Sequence, residues 1–341
     1  MNAVAMSDAT HRRALVLFPG ALGDFICFLP ALLALGEAAH VDLLARTEFA
    51  DLVPPAVNLS SLDRYEIRRL FASGAACEGR ACDFFASYAT VYSWTGSQAS
   101  EFIHQLESVS QGRARVFQFR SSDKQMHQED YYLSCIDGLK LNPRRPTVAP
   151  RPQANAWCEN FWLRTSLTGR AVLTLAPGSG AVEKNWPANF YRAIAEWWRR
   201  ATAGAVIVLI GPVEGERGGF DLLLDCCAAA RNLSLAQAAA LLARSDLYLG
   251  NDSGITHLAA AVGVRAVALF GPSDALAWAP RGQKVTVLSR HVDCSPCAVP
   301  VMKSCWHRKC LTAFYPMDVT GELEKLPEVA TLTRGGPGIT V

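Results

Sequence analysis

Residues 249–260 read LGNDSGITHLAA. A strand-like apolar run, 246–250, ends in Asn-Asp-Ser-Gly, and a helix-like run opens at once. Asp252 or Ser253 suits the N-cap of that helix. Gly254 lets a ligand approach the backbone with no Cβ in the way. The free N–H groups and positive dipole end of the helix then face whatever lies beyond the strand, an arrangement that suits a phosphate. His257, one turn further on, adds a donor. An ordinary capped helix accounts for the same residues.

Working outward, the plan recurs. RAVALF (265–270) leads into GPSDALAWAP (271–280). Upstream, LTLAPGSGAVEKNWP (173–187) holds a strand, a glycine-rich turn, a lysine and a Trp-Pro helix start. Near the beginning, ALVLFPGALGDFICFLPALLAL (14–35) repeats it with Asp24 in the turn. The pattern predicts strands at 15–19, 41–45, 91–94 and 116–119, and a helix at 25–35. In the second half it predicts strands at 172–176, 205–210, 246–250 and 266–270. Helices follow there from Pro187, from the end of the 205–210 strand to about Ala229, over 234–244 and over 254–262. Strands alternating with helices mean an α/β protein with parallel sheets covered on both faces. Pro143, Pro146, Pro150 and Pro152 interrupt the pattern and mark a boundary, giving domains at 1–150 and 151–341. Two doubly wound sheets are expected to face each other across a cleft at their carboxyl strand ends.

Composition narrows the function. The chain has 341 residues, half of them hydrophobic and 19% charged, enough for two buried cores and too apolar for disorder. A net charge of +2 makes no demand for nucleic acid. Basic stretches at 64–70, 113–120 and 143–151 are either solvated surface or a face for an anionic acceptor or an acidic membrane. Arg12-Arg13 before an apolar run imitates a leader peptide, but Asp24 sits inside the run. A central Asp costs roughly 2.5–3.5 kcal/mol in a spanning helix. The expectation is a soluble cytoplasmic chain. Its 11 cysteines are then reduced, with Cys27, Cys135 and Cys158 as small core residues. Gly-x-x-Gly at 20–23 lacks the full dinucleotide fingerprint, and there is no Walker sequence, which disfavours oxidoreductases and P-loop enzymes.

Gly23-Asp24, then Lys184-Asn185-Trp186-Pro187, then Asp252-Ser253-Gly254 through His257 occur in an order that resembles glycosyltransferase family 9, the ADP-heptose:lipopolysaccharide heptosyltransferases. The resemblance spans roughly 14–315. It implies the GT-B architecture of two Rossmann-like domains, with an acceptor-binding first domain and a donor-binding second one whose last segment packs back on the first. It also implies inverting, metal-independent transfer of a heptose from ADP-heptose to a lipopolysaccharide inner-core sugar. Serine hydroxyls of a protein are the alternative acceptor. A sugar-nucleotide epimerase and a non-catalytic binding protein are the rivals from other classes. Contact with the cytoplasmic face of the inner membrane is a further expectation.

The residues fit that chemistry. Inverting transfer needs one general base, and Asp24 matches the family's catalytic aspartate; capping the helix behind it is the plainer role. The departing diphosphate needs fixed donors, which Ser179, Gly180 and Lys184 supply from one turn and Ser253, Gly254 and His257 from another. Asp252 orients the turn or accepts from the sugar. Glu214 or Glu216 in GPVEGER (211–217) is placed to accept from ribose hydroxyls, and the family pattern favours Glu216. Leu233, within 232–235, falls where the family's backbone meets adenine. Arg64, Arg68 and Arg69 share one broad face if their stretch is helical, and with Gly23 they are the acceptor candidates. Cys294, Cys297, Cys305 and Cys310, with His307 among them, have spacing suited to structural zinc or iron. Family members often carry cysteines there without a metal, and a subgroup acting on autotransporters has an iron-bound four-cysteine finger.

Overall fold

The computed structural model describes residues 13–72, 79–136 and 145–334. The chain divides into two compact units, Met1–Pro146 and Thr147–Val341. The first runs β1 (Arg13–Leu17), α1 (Leu22–Ala38), β2 (His40–Ala45), β3 (Val57–Ser61), α2 (Tyr65–Arg69), α3 (Arg80–Ala86), β4 (Thr90–Ser93), α4 (Ser100–Val109), β5 (Ala114–Val116) and α5 (Gln128–Ser134). Its five strands are parallel in the order β3-β2-β1-β4-β5. The order reverses between β1 and β4, which opens a crevice at their carboxyl ends.

The second unit opens with α6 (Pro152–Arg164), β6 (Val172–Ala176), α7 (Ala188–Thr202), β7 (Ala205–Ile210), α8 (Pro212–Arg217), α9 (Asp221–Leu224), β8 (Ala228–Arg231) and α10 (Leu235–Arg244). It continues through β9 (Leu247–Asn251), α11 (Gly254–Val262), β10 (Ala266–Phe270), α12 (Ala275–Trp278) and β11 (Val285–Ser289). Four helices close it: α13 (Val299–Ser304), α14 (Lys309–Thr312), α15 (Pro316–Leu323) and α16 (Pro327–Arg334). Six parallel strands run β11-β10-β9-β6-β7-β8, and here the reversal falls between β6 and β9. Every residue of β6, β7, β9 and β10 is buried, as expected of central parallel strands covered on both faces. On α7, Tyr191, Ile194, Ala195 and Trp198 recur at helical spacing and seal one face of the sheet.

The structure corrects several boundaries. The first helix starts at Leu22, so Asp24 lies inside its first turn and not in the loop before it. The expected 116–119 strand is displaced to Ala114–Val116. The single helix expected after β7 is two short helices and then β8, whose Ala-Ala-Ala-Arg reads as helix by propensity but is drawn into the sheet as its edge. Among the described residues, no helix is long and apolar enough to cross a membrane.

Candidate active site

The second unit brings its two predicted turns together at the β6/β9 reversal. Lys184 Nζ lies 2.7 Å from Asp252 Oδ2, although 68 positions separate them. Asp252 is 9% exposed and Lys184 29%, so the pair faces a partly open edge. Asn251, which the sequence reading passed over, organises this meeting. Fully buried, its Oδ1 accepts from the Trp186 backbone N–H at 3.0 Å and the Tyr191 hydroxyl at 2.9 Å. Its Nδ2 donates to the Pro177 carbonyl at 2.8 Å. One amide thus fixes both ends of the segment carrying Lys184. The Trp186 indole N–H adds a bond to the Phe314 carbonyl at 2.8 Å.

Within that segment, Ser179 is buried and its hydroxyl is spent locally, 2.6 Å from the Ala181 carbonyl and 2.7 Å from Asn185 Oδ1. It shapes the turn instead of presenting a donor. Gly180 is exposed with open space around its Cα. Gly178 has no such room, because a Cβ there would overlap the Glu214 side chain. The carboxylate at the strand ends is therefore Glu214, whereas Glu216 is exposed on α8. Leu233 is half-buried in the β8–α10 connection, directly before the Ser234 N-cap.

At the start of α11, Ser253 holds the N-cap position, without a side-chain capping bond. The Thr256 hydroxyl donates instead to the Asn251 carbonyl at 2.5 Å and lies 2.8 Å from the Tyr248 hydroxyl. Gly254 is the first helical residue, and His257 is buried, 4% exposed, in the first turn. The positive helix end and the Lys184 ammonium therefore flank one carboxylate, Asp252. Beyond β10, the buried Ser273 hydroxyl has no hydrogen-bond partner among the described residues, a further donor at the carboxyl edge.

In the first unit, Asp24 Oδ2 accepts from the Ala21 backbone N–H at 3.0 Å, closing the start of α1. Gly23 is the second residue of that helix. A Cβ on Gly20 would sit 2.7 Å from Asp24 Cβ and overlap the Phe18 ring, so only glycine lets the strand end lie against Asp24. The Tyr132 hydroxyl is held well above its ordinary pKa, first by burial and then by the negative charge of Asp24, while Arg120 acts in the opposite sense.

Beside this lies a cavity of 620 Å³ at the ends of β1, β4 and β5, lined by Pro19, Trp94, Gln98, Gln118, Phe119 and Arg120 among others. Helix α5 braces the 118–119 part of its lining from behind. Tyr131 Oη donates to the Gln118 carbonyl at 2.6 Å, and Gln128 Nε2 to the Phe119 carbonyl at 3.2 Å. Among the described residues, the buried indole N–H of Trp94 has no partner.

The three arginines chosen from sequence lie elsewhere. Arg64 precedes α2, pairs with Glu66 at 3.3 Å and stacks over Phe84. Burial pushes the Glu66 carboxyl up, but its backbone bond and Arg64 outweigh this and hold it below its ordinary value. Arg68 Nε lies 2.6 Å from Asp63 Oδ1, and Arg69 is half-buried at the end of α2. The bare cationic face is broken by two carboxylates.

The four cysteines singled out by their spacing lie near one another, and their thiols act on Cys310. Among the described residues, no three His, Cys, Asp or Glu side chains converge as ligands. Cys297 Sγ donates to the Cys294 carbonyl at 2.9 Å, and Cys305 Sγ lies 3.8 Å from the His307 ring nitrogens and 3.4 Å from the Arg308 amide. Cys310 is buried in the core, where burial and then the neighbouring thiols push it up to about 11.

Two parallel-sheet α/β units, each with one reversal of strand order, define a GT-B architecture. The model of glycosyltransferase family 9 (heptosyltransferase) matches residues 118–306, more than half of the chain, and the protein belongs to that family. It is 31% identical over 152 residues to lipooligosaccharide heptosyltransferase 2 of Haemophilus influenzae, covering 42% of this chain and 43% of that protein. The chain thus aligns with somewhat under half the length of this curated relative. Among solved structures, glycosyl transferase family 9 from Veillonella parvula superposes with a TM-score of 0.73 at 18% identity, over 95% of this chain and 98% of that one. The ADP-heptose lps heptosyltransferase II of E. coli gives 0.67 at 19%, over 94% and 98%.

Proposed function

We propose that this chain transfers a heptose from ADP-heptose to an inner-core sugar of a lipopolysaccharide, inverting the anomeric centre without a catalytic metal. The observation that carries this reading is the Lys184–Asp252 pair beside the start of α11 at the reversal of the second sheet. An ammonium has three N–H donors. Asp252 takes one and fixes the lysine, leaving the others for the β-phosphate. As the bond from the anomeric carbon to the phosphate oxygen breaks, the electron pair leaves with ADP. Lys184 and the first amides of α11 stabilise that charge from fixed positions. On the acceptor, Asp24 takes the hydroxyl proton while the oxygen forms the new bond to the anomeric carbon from the opposite face, which is why the centre inverts.

We assign the acceptor to the 620 Å³ cavity rather than to Arg64 and Arg68, whose charges already meet carboxylates. Gln98 and Gln118 suit sugar hydroxyls, and the Arg120 guanidinium suits a carboxylate or phosphate on the acceptor. Glu214 is the carboxylate for the ribose. A sugar-nucleotide donor suits a cytoplasmic enzyme, which is the location we assign.

Incubation with ADP-heptose and a truncated core acceptor, followed by mass spectrometry, tests the reading. ADP should appear only with acceptor, and chelators should leave the rate unchanged. Asp24→Asn should lower turnover by about 10²–10⁴ with ADP affinity intact. Lys184→Ala should weaken ADP binding and lower turnover more steeply. Epimerised donor without acceptor, or transfer to serine peptides but not to core fragments, would overturn it.

A further inference from the structure

The turn that carries Lys184 is held from a distant part of the chain. Asn251 fixes the segment at Pro177 and at Trp186, on either side of the turn. Those bonds leave 180–184 between them, where Lys184 ends a single 3-10 turn, Val182–Lys184. Two arginines reach this loop from other elements. Arg217 Nη1, on α8, donates to the Ser179 carbonyl at 3.3 Å. Arg308 Nη1, 126 positions beyond its partner and directly before α14, donates to the Val182 carbonyl at 3.2 Å. Just past the lysine, the Trp186 indole bonds to the Phe314 carbonyl. One short stretch, 308–314, therefore grips the turn on both sides of Lys184.

Arg308 is constrained beyond what a helix start requires. An N-cap residue ordinarily has extended backbone, whereas Arg308 is left-handed, at φ 42° and ψ 39°. That conformation is costly for any residue with a Cβ, and glycine adopts it freely. Bonds on both sides keep the arginine there. Its N–H donates to Cys305 Sγ at 3.4 Å, and its carbonyl accepts from the Leu311 and Thr312 amides at 2.8 and 2.9 Å. Strain retained in this way points to the job of the side chain, which here is to reach Val182. We propose that Arg308 is a positioning residue, which holds the Val182–Lys184 turn so that the ammonium stays beside Asp252, set for the phosphates of a nucleoside diphosphate. The ligand in this assignment rests on the transfer reading, whereas the grip on the turn does not.

Arg308→Gly removes the guanidinium and relieves the left-handed backbone together, so it should melt within about 3 °C of the wild type. In the ligand-free chain, amide exchange at 182–186 should quicken severalfold, while the buried strand 205–210 exchanges as before. Calorimetry should show ADP bound roughly two- to tenfold more weakly, up to the effect of one hydrogen bond, with the acceptor KM unmoved. Arg308→Lys, which keeps a cationic donor, should recover part of that affinity. In a Lys184→Ala background, Arg308→Gly should have no further effect on ADP binding, because the arginine acts through the lysine. Unchanged exchange at 182–186, or an equal loss of ADP affinity with and without Lys184, overturns the proposal. A wild type that binds no ADP would sink the transfer reading instead, and exchange in the free chain would still decide whether Arg308 holds the turn.

Discussion

At the scale of single residues, Asn251 shows how a site can depend on a side chain that touches no ligand. Its amide accepts two bonds and donates to Pro177, with no exposure to water. Asn251→Asp keeps the accepting oxygen but turns a second oxygen, with charge, toward the Pro177 carbonyl. Breaking a buried polar arrangement in this way should cost about 3 kcal/mol of stability at neutral pH. The new carboxyl would have a folded pKa raised above its unfolded value, so part of the loss should return as pH falls and the protonated acid donates to Pro177. Denaturant unfolding at pH 7 and pH 5 measures both effects. Wild-type stability at pH 7 would mean that the amide is not the clamp described. ADP binding should weaken in the same variant, because the Lys184 segment loses its anchor at both ends.

Among elements, α16 is held to the start of β10 by Arg265, whose guanidinium meets Glu328 in two bonds of 2.8 and 3.0 Å. Arg265 lowers the Glu328 pKa more than burial raises it. A depressed folded pKa stabilises above the unfolded value near pH 4.5 and loses that contribution as pH falls through the folded value. Glu328→Gln should therefore cost about 1 kcal/mol at pH 7, discounted for the partial exposure of the pair, and almost nothing near pH 3. A gap that stays constant over this range would remove the ion pair from the account. Elements of this kind were the least legible in the sequence. Strands Ala205–Ile210 and Ala266–Phe270 and helix Gly254–Val262 were readable to the residue, because burial on both faces leaves an uninterrupted apolar run or a sharp Gly start. The edge strands Val57–Ser61, Ala228–Arg231 and Val285–Ser289 were not, since each is only partly buried and borrows its conformation from a neighbour. The same contrast divides the site. Lys184 and Asp252 stand in local motifs, whereas Asn251 and the first unit's cavity arise from contacts between segments far apart in sequence, which no local pattern encodes.

For the whole molecule, the two units share one construction, a parallel sheet with a reversal that carries polar side chains at its carboxyl edge, but their chemistry differs. The second has a lysine and a helix start suited to phosphate. The first has a carboxylate on α1 and a cavity with amides and one arginine. If this division assigns donor and acceptor correctly, ADP alone should stabilise the second unit and leave the first unchanged. At a free ADP concentration of 100 times Kd, linkage adds about 2.7 kcal/mol to whatever opening the ligand must reverse. Amide hydrogen exchange resolves where that free energy falls. Protection should rise at 178–186, 211–217, 232–235 and 251–257, while 19–24 and 94–120 exchange as in the free protein. Lys184→Ala should shrink the protected region together with the affinity, whereas Asp24→Asn should leave the protection pattern as it is. Slowing at 94–120 with ADP alone would place nucleotide in the first unit's cavity and reverse the assignment of the two halves.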